Sequence, residues 1–135
     1  MKKVLVDLTE TFALGKKIAE ALPENGVVAF YGELGAGKTT IIKSIASTLA
    51  KIDPSEVTSP TFSYMHIYPN DVYHFDLYRI RDVKEFVFMG FGEYLRKGIC
   101  LIEWAERIAE ILPEDALKIH IRHVDQNTRE ISYES

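Results

Sequence analysis

Cysteine and long apolar runs are scarce in this 135-residue sequence. Cys100 is the only cysteine, so no disulfide can form within the chain, which suits a reducing compartment. Its apolar surroundings favour a buried small side chain over a nucleophile. The apolar stretch near the N-terminus ends at Asp7, too short for a signal peptide, and no run approaches transmembrane length. We therefore expect a cytoplasmic protein.

Positive charge is also in short supply. The formal net charge is −4, which argues against nucleic acid as the main ligand of the isolated chain, although a local basic face remains open. Hydrophobic residues make up 47% and charged residues 27%, the balance of a globular protein. The length suits one domain, residues 1–135. No metal-ligand spacing connects the histidines, which we interpret as structural or surface residues: His66, His74, His120 and His123.

What the sequence does have is a glycine-rich stretch, Gly32-Glu33-Leu34-Gly35-Ala36-Gly37-Lys38-Thr39, that matches the phosphate-binding P-loop. Its glycines let backbone N–H groups approach a phosphate without a Cβ clash. Lys38 would place an ammonium against the β- and γ-phosphates, and the Thr39 hydroxyl would bind Mg²⁺. The flanking apolar patterns predict a strand over Val27–Tyr31 and a helix over Thr40–Leu49, which is the context that the motif requires.

The rest of the chain alternates between strand and helix patterns. We predict further strands at Lys3–Asp7, Phe62–Tyr68, Val72–Asp76, Gly98–Ile102, Leu117–His123 and Arg129–Tyr133. Helices are predicted from a cap at Asp7, Thr9 or Thr11 to about Leu22, from Asp82 to Phe88, over Glu93–Lys97 and from Trp104 to Leu112. Short turns predict two hairpins, and the first places antiparallel pairing in an otherwise parallel α/β sheet.

Phosphoryl chemistry needs an acidic group near the metal in addition to the P-loop. In open α/β sheets such groups lie at the carboxyl ends of strands beside the loop. Asp76 and Glu103 both fit, because each follows an apolar strand segment and could face a Mg²⁺ bound by Thr39. The alternative for each is a carboxylate that caps the next element or pairs with a base such as Arg79. The more apolar strand before Glu103 favours a functional role there.

Two further features adjoin these candidates. The Thr58–Phe62 stretch follows the P-loop helix, where nucleotide switch segments often lie. Ser59 or Thr61 could touch the γ-phosphate or the attacking water, and a plain loop is the alternative. Trp104 directly follows the second candidate acid. We interpret Trp104 as a core residue, with stacking on a ligand or partner as the alternative.

Taken together, these motifs resemble the TsaE (YjeE-type) family, the bacterial ATPase subunit of tRNA threonylcarbamoyladenosine synthesis. The combination is more specific than the P-loop alone. The segments that carry it are Tyr31–Thr40, Ser59-Pro60-Thr61-Phe62, Tyr73-His74-Phe75-Asp76-Leu77-Tyr78-Arg79 and Leu101-Ile102-Glu103-Trp104, with support from Thr11–Gly15 and Phe88-Met89-Gly90. The resemblance implies a single-domain P-loop NTPase of the α/β class, with a mixed, mostly parallel central sheet flanked by helices.

The resemblance also implies ATP and Mg²⁺ as cofactors. Thr39 and Glu103 would bind the metal, Asp76 would position the hydrolytic water, Lys38 would act on the phosphates and Thr61 would lie in the switch-like loop. The region from Leu8 to Thr11, together with Thr128, would lie by the adenine. The phosphate-binding residues would be Glu33, Leu34, Gly35, Ala36, Gly37, Lys38, Thr39 and Thr40.

Members of this family work through partners. The implied role is docking on the TsaB–TsaD pair, which transfers threonylcarbamoyl to adenosine 37 of tRNAs reading ANN codons, with tRNA contacted indirectly. ATP hydrolysis, weak without partners, would reset that complex between turnovers. The sequence departs from the family at Ala105, where a proline is common, and it ends soon after Arg129.

Two other function classes stay open. A small-molecule or nucleoside kinase would need an acceptor site and lid arginines, for which the close pair Arg79 and Arg81 is weak support. The other class is a GTPase-like switch or a pure nucleotide-binding module. The Asn-Lys-x-Asp guanine motif is absent from the sequence, so guanine specificity has no visible basis.

Overall fold

A computed structural model describes residues 2–33 and 37–133 of the chain. The strands are β1 (Lys2–Val6), β2 (Gly26–Tyr31), β3 (Met65–Tyr68), β4 (Val72–Asp76), β5 (Ile99–Glu103), β6 (Leu117–His123) and β7 (Arg129–Tyr133). The α-helices are α1 (Leu8–Ala21), α2 (Lys38–Ala50) and α3 (Val83–Phe88). Shorter 3₁₀ helices cover Pro54–Glu56, Phe91–Arg96 and Ala105–Ile111.

The described strands form one mixed sheet in the order β1-β7-β6-β2-β5-β4-β3. The four central strands, β6, β2, β5 and β4, pair in parallel, and the outer pairings are antiparallel. All five residues of β5 are buried, as expected for a parallel strand that is covered on both faces. The predicted α/β class, the mixed sheet and both hairpins are therefore confirmed.

Alternation along the strands sorts side chains between two cores. On one face, Val28, Leu101 and Ile131 pack with the helical residues Ile41 and Ile45 of α2, and α1 lies against α2 on this side. On the other face, the core contains Phe75, Phe86 and Ile102 together with residues of the two later 3₁₀ helices. No helix in the described part of the chain is long and apolar enough to cross a membrane.

Two of the helices begin at the predicted aspartates. Asp7 is the N-cap of α1, and its carboxylate accepts from the Glu10 N–H at 2.8 Å, which selects it from the three candidate caps. Asp82 caps α3 in the same way. The division of residues 1–135 into a single domain stays a prediction.

The helix predicted over Glu93–Lys97 is a 3₁₀ helix over Phe91–Arg96, and two further predicted elements also differ from the observed ones. Residues 62–64 form a turn rather than the start of β3, because Tyr64 has a left-handed backbone (φ 67°) and its N–H donates to the Pro60 carbonyl. The segment after Trp104 forms a 3₁₀ helix that is kinked at Ile108, instead of a regular α-helix. In each case the apolar spacing indicates which residues are buried, but local hydrogen bonds determine the backbone conformation.

Candidate functional site

The described residues of the P-loop motif, Gly32, Glu33 and those from Gly37 to Thr39, lie at the carboxyl end of β2 and at the start of α2. Gly37 is the N-cap of α2 and has a φ of 100°, a conformation that strains any residue with a Cβ. Thr39, in the first helical turn, is exposed at this edge of the sheet. Glu33 is exposed and Thr40 half-buried. Leu34, Gly35 and Ala36 lie outside the described residues, so their predicted phosphate contacts stay predictions.

Lys38 is held inside the loop rather than in solvent. It is only 6% exposed, and its Nζ donates to the Gly32 carbonyl at 2.8 Å. The same Nζ lies 4.9 Å from the centre of the Trp104 ring, a cation–π distance. Trp104 also packs beside Tyr78, with ring centres 4.9 Å apart. Trp104 therefore packs against the core, as predicted, and also contacts the P-loop lysine, whereas its stacking on a ligand or partner stays a prediction.

The two candidate acids are brought to the same edge by neighbouring strands. Asp76 and Glu103 are register partners at the ends of β4 and β5. Glu103 is 9% exposed, and its Oε2 lies 2.8 Å from Nε2 of the buried His74. Asp76 is half-buried, and its Oδ1 accepts from the Tyr78 N–H at 3.0 Å. Both carboxylates thus have a local partner, and both face the layer that contains α2.

A small cavity connects the metal-ligand candidates. Thr39 at the start of α2 and Glu103 at the end of β5 both line it, so the two residues adjoin one cavity, and their binding of a metal stays a prediction. The complete lining is Thr39, Ile42, Lys43, Val57, Thr58, Ser59, His74 and Glu103. Ser59 of the predicted switch segment is therefore at the cavity. Thr61 is not among the lining residues, but its hydroxyl lies 3.1 Å from the Ser59 hydroxyl.

The residues expected near the adenine lie at the far end of the same sheet edge. Leu8 begins α1 and is 54% exposed. Thr128 lies in the turn between β6 and β7, where its carbonyl accepts from the Val124 N–H at 3.0 Å. Thr11 is fully buried, and its hydroxyl donates to the Asp7 carbonyl at 2.6 Å. The structure therefore leaves Leu8 and Thr128 accessible, whereas Thr11 supports the helix start.

Two residues near the site make contacts that the sequence does not predict. We predict His74 to be structural or surface, and the structure buries it and hydrogen-bonds it to Glu103 at the cavity that both residues line. Its position two residues before Asp76 on one strand was the available signal, because alternate residues share a face. Arg129 was noted only as the start of a strand, but its side chain lies against Gly37. Sequence patterns carried no signal for that contact.

Comparisons with known proteins agree with this architecture. A sequence model of the family described as threonylcarbamoyl adenosine biosynthesis protein TsaE matches residues 5–131. A tRNA threonylcarbamoyladenosine biosynthesis protein TsaE from Treponema pallidum is 36% identical over 135 residues, covering 98% of each chain. The protein of the same name from Bacillus subtilis is 39% identical over 132 residues, covering 95% of this chain and 81% of that relative.

A solved structure is also similar. The crystal structure of YdiB from Bacillus subtilis aligns with a TM-score of 0.71 at 33% identity, covering 98% of this chain and 84% of that one. Because the alignment covers nearly the whole chain, the P-loop α/β fold expected from the sequence is confirmed. With the family match over residues 5–131, these similarities show that the chain belongs to the TsaE family of threonylcarbamoyl adenosine biosynthesis proteins.

Proposed function

We propose that this chain is a Mg²⁺-dependent ATPase that acts with the TsaB–TsaD pair in tRNA threonylcarbamoyladenosine formation, and that hydrolysis resets that complex between turnovers. The observation that carries the proposal is the cavity that Thr39 and Glu103 both line, with the P-loop lysine Lys38 next to Thr39 in the first turn of α2. A hydroxyl and a carboxylate at one cavity, with an ammonium from the neighbouring loop residue, are the groups that a metal–triphosphate ligand requires.

The residues present fit a magnesium ion that arrives with its nucleotide. The described residues contain no group of three or more His, Cys, Asp and Glu side chains arranged to hold a metal by themselves. Magnesium in phosphoryl-transfer sites needs only one or two protein oxygens, because phosphates and water complete its shell. Thr39 and Glu103 supply such oxygens, and the ion would neutralise charge that develops on the phosphates.

Each remaining side chain has a task in this proposal. Lys38 exchanges the Gly32 carbonyl for phosphate oxygens when a nucleotide enters, since its Nζ already lies at the loop. His74 orients the Glu103 carboxylate through the 2.8 Å contact. Asp76, on the adjacent strand end, accepts a hydrogen bond from the attacking water. Thr61, next to Ser59, links the switch segment to the γ-phosphate.

The proposed partners follow from the family rather than from a surface of this chain. Relatives carry names that place them in tRNA threonylcarbamoyladenosine biosynthesis. The net charge of −4 supports indirect rather than direct contact with tRNA, because a negatively charged chain repels a polyanion. The proposed location of this activity is the cytoplasm.

The direct test is ATP hydrolysis by the purified chain, alone and then with TsaB, TsaD and tRNA. We expect slow hydrolysis by the chain alone and a clear increase with all partners present. The Lys38→Ala chain serves as the inactive control. Fast hydrolysis that ignores the partners would contradict the proposal, as would transfer of the γ-phosphate to a small-molecule acceptor, which would identify a kinase.

A further inference from the structure

Arg129 reaches the P-loop from the opposite side to the proposed metal site. It is the first residue of β7, and its register partners are His123 of β6 and Val6 of β1. Because β7 runs antiparallel to β6, its first residue lies at the sheet edge where β2 enters the P-loop. Arg129 also shares a sheet face with Ile131, which packs in the core that contains α2.

The side chain of Arg129 covers the last glycine of the motif. A Cβ placed on Gly37 would lie 2.5 Å from Arg129 Nε and 2.8 Å from its Cδ. The guanidinium therefore lies at the N-terminus of α2, where the helix dipole is positive and where Lys38 adds another cation. Two cations at the positive end of a helix repel one another unless an anion lies between them.

Two of the three guanidinium nitrogens of Arg129 have no hydrogen-bond acceptor in the described part of the chain. Arg129 Nε and Nη1 are both buried and have no hydrogen-bond partner within residues 2–33 and 37–133. The acids next to Arg129 in the sheet are engaged elsewhere: Glu130 lies 3.4 Å from Arg122, and Asp7 caps α1. Buried charged donors without acceptors are costly, so the arrangement calls for an anionic ligand.

The sheet order indicates which part of a nucleotide this anion is. The proposed metal and water residues stand on β5 and β4, on one side of β2, whereas Arg129 comes from β7 on the other side. Leu8 and Thr128, where the adenine is expected, are on the Arg129 side. A nucleotide across the loop would direct its γ-phosphate to β5 and β4 and its inner phosphates to Arg129.

We propose that Arg129 is a ligand-binding residue that donates to the α- and β-phosphates of the bound nucleotide, the phosphates that ATP and ADP share. This inference rests on the proposed nucleotide site. A planar guanidinium suits such a contact because it can donate two parallel hydrogen bonds to phosphate oxygens. Arg129 thereby sets nucleotide affinity, whereas Lys38 and Glu103 act at the γ-phosphate and the metal.

Calorimetric titration with ADP and with a non-hydrolysable ATP analogue tests this assignment. We expect Arg129→Gln to weaken both nucleotides by about ten- to a hundredfold, in the same ratio, since one charge-assisted contact is lost from each. Arg129→Lys should have an intermediate nucleotide affinity, because it keeps the positive charge but loses the two parallel donors of the guanidinium.

Arg122→Gln is the matched control, since Arg122 stands on the same hairpin, is 67% exposed and pairs only at the surface. It should bind both nucleotides like the unaltered chain. Unchanged affinity in folded Arg129→Gln and Arg129→Lys would overturn the inference while leaving the proposed function intact. A loss confined to the ATP analogue would also overturn it, by assigning Arg129 to the γ-phosphate. If the unaltered chain bound neither nucleotide, both proposals would fall.

Discussion

At the scale of single residues, Lys38 is the most direct probe of the phosphate site. Lys38→Ala removes the ammonium expected on the β- and γ-phosphates, so ATP affinity should fall by at least about tenfold. The substitution also removes the cation over Trp104, the chain's one tryptophan, and should change its fluorescence before any nucleotide is added. Lys16→Ala, an exposed change on α1, is the control. Unchanged ATP binding would contradict the assignment.

Substitution of Glu103 tests whether its carboxylate is catalytic or structural. Glu103→Gln keeps an oxygen for the His74 contact but removes the charge a metal needs, so hydrolysis should fall by about a hundredfold or more. The thermal unfolding midpoint should change by only a few degrees. Glu103→Ala is less informative, because it leaves a buried histidine without its partner. Normal hydrolysis with a large loss of thermal stability would make Glu103 a structural residue.

The burial of Cys100 predicts a low reactivity of its thiol at moderately alkaline pH. Burial raises the pKa of its thiol to about 12, and its Sγ lies 3.0 Å from the Tyr94 carbonyl. A thiol reagent at pH 8 should therefore label the folded chain on the order of a thousandfold more slowly than the unfolded chain, whose thiol has an ordinary pKa. Labelling followed by mass spectrometry checks this, and fast labelling of the native chain would contradict the buried position.

The raised pKa of the Cys100 thiol also makes the free energy of unfolding depend on pH in alkaline solution. The unfolded thiol loses its proton first, near its ordinary pKa, whereas the folded thiol keeps it up to about pH 12. The free energy of unfolding should therefore fall as pH rises through this window, by up to about 1.4 kcal/mol per pH unit from this group. Cys100→Ala should lose that share of the slope in urea titrations at successive pH values.

At the scale of elements, the contact between α1 and α2 depends on a glycine. A Cβ on Gly15 would lie 2.6 Å from Cβ of Ser44, whose hydroxyl donates to the Phe12 carbonyl. Gly15→Ala should destabilise the protein by about 1–3 kcal/mol through overpacking, partly offset by the better helix propensity of alanine. The midpoint of urea unfolding measures this change.

Gly92→Ala supplies the matched control for that prediction, because a Cβ at Gly92 would meet nothing within 4 Å. It should leave the unfolding midpoint almost unchanged. Equal midpoints for the two variants would show that the helices can separate without cost, and would contradict the close packing of α1 on α2.

The elements themselves were largely predictable, and the reasons are physical. The apolar residues of β5 predict a strand that is buried along its length, as observed. The helix starts at Asp7 and Asp82 are predictable because aspartate side chains cap helices. The turn at Tyr64 and the kinked helix after Trp104 were not predictable, because both depend on left-handed residues that are not glycine. Contacts between distant segments, such as Arg129 on Gly37, have no periodic signature at all.

At the scale of the whole molecule, the sheet order organises the site. The P-loop strand β2 lies between β5, which ends in Glu103, and β6, whose following turn leads to Arg129 at the start of β7. Sequence reasoning placed the acids at strand ends but could not order the strands, so it could not tell which groups flank the loop on each side. The fold therefore divides the site into a proposed hydrolytic half and a proposed nucleotide-holding half.

ATP hydrolysis by this chain is proposed to renew the TsaB–TsaD complex. The most direct measurement is threonylcarbamoyladenosine formed on tRNA by TsaB–TsaD held well below the tRNA concentration, with threonylcarbamoyl-adenylate as donor. With this chain and ATP, product should exceed the amount of TsaB–TsaD many times over. Glu103→Gln or a non-hydrolysable ATP analogue should stop near one product per complex. Many turnovers without hydrolysis, or none beyond the first with ATP, would contradict the account.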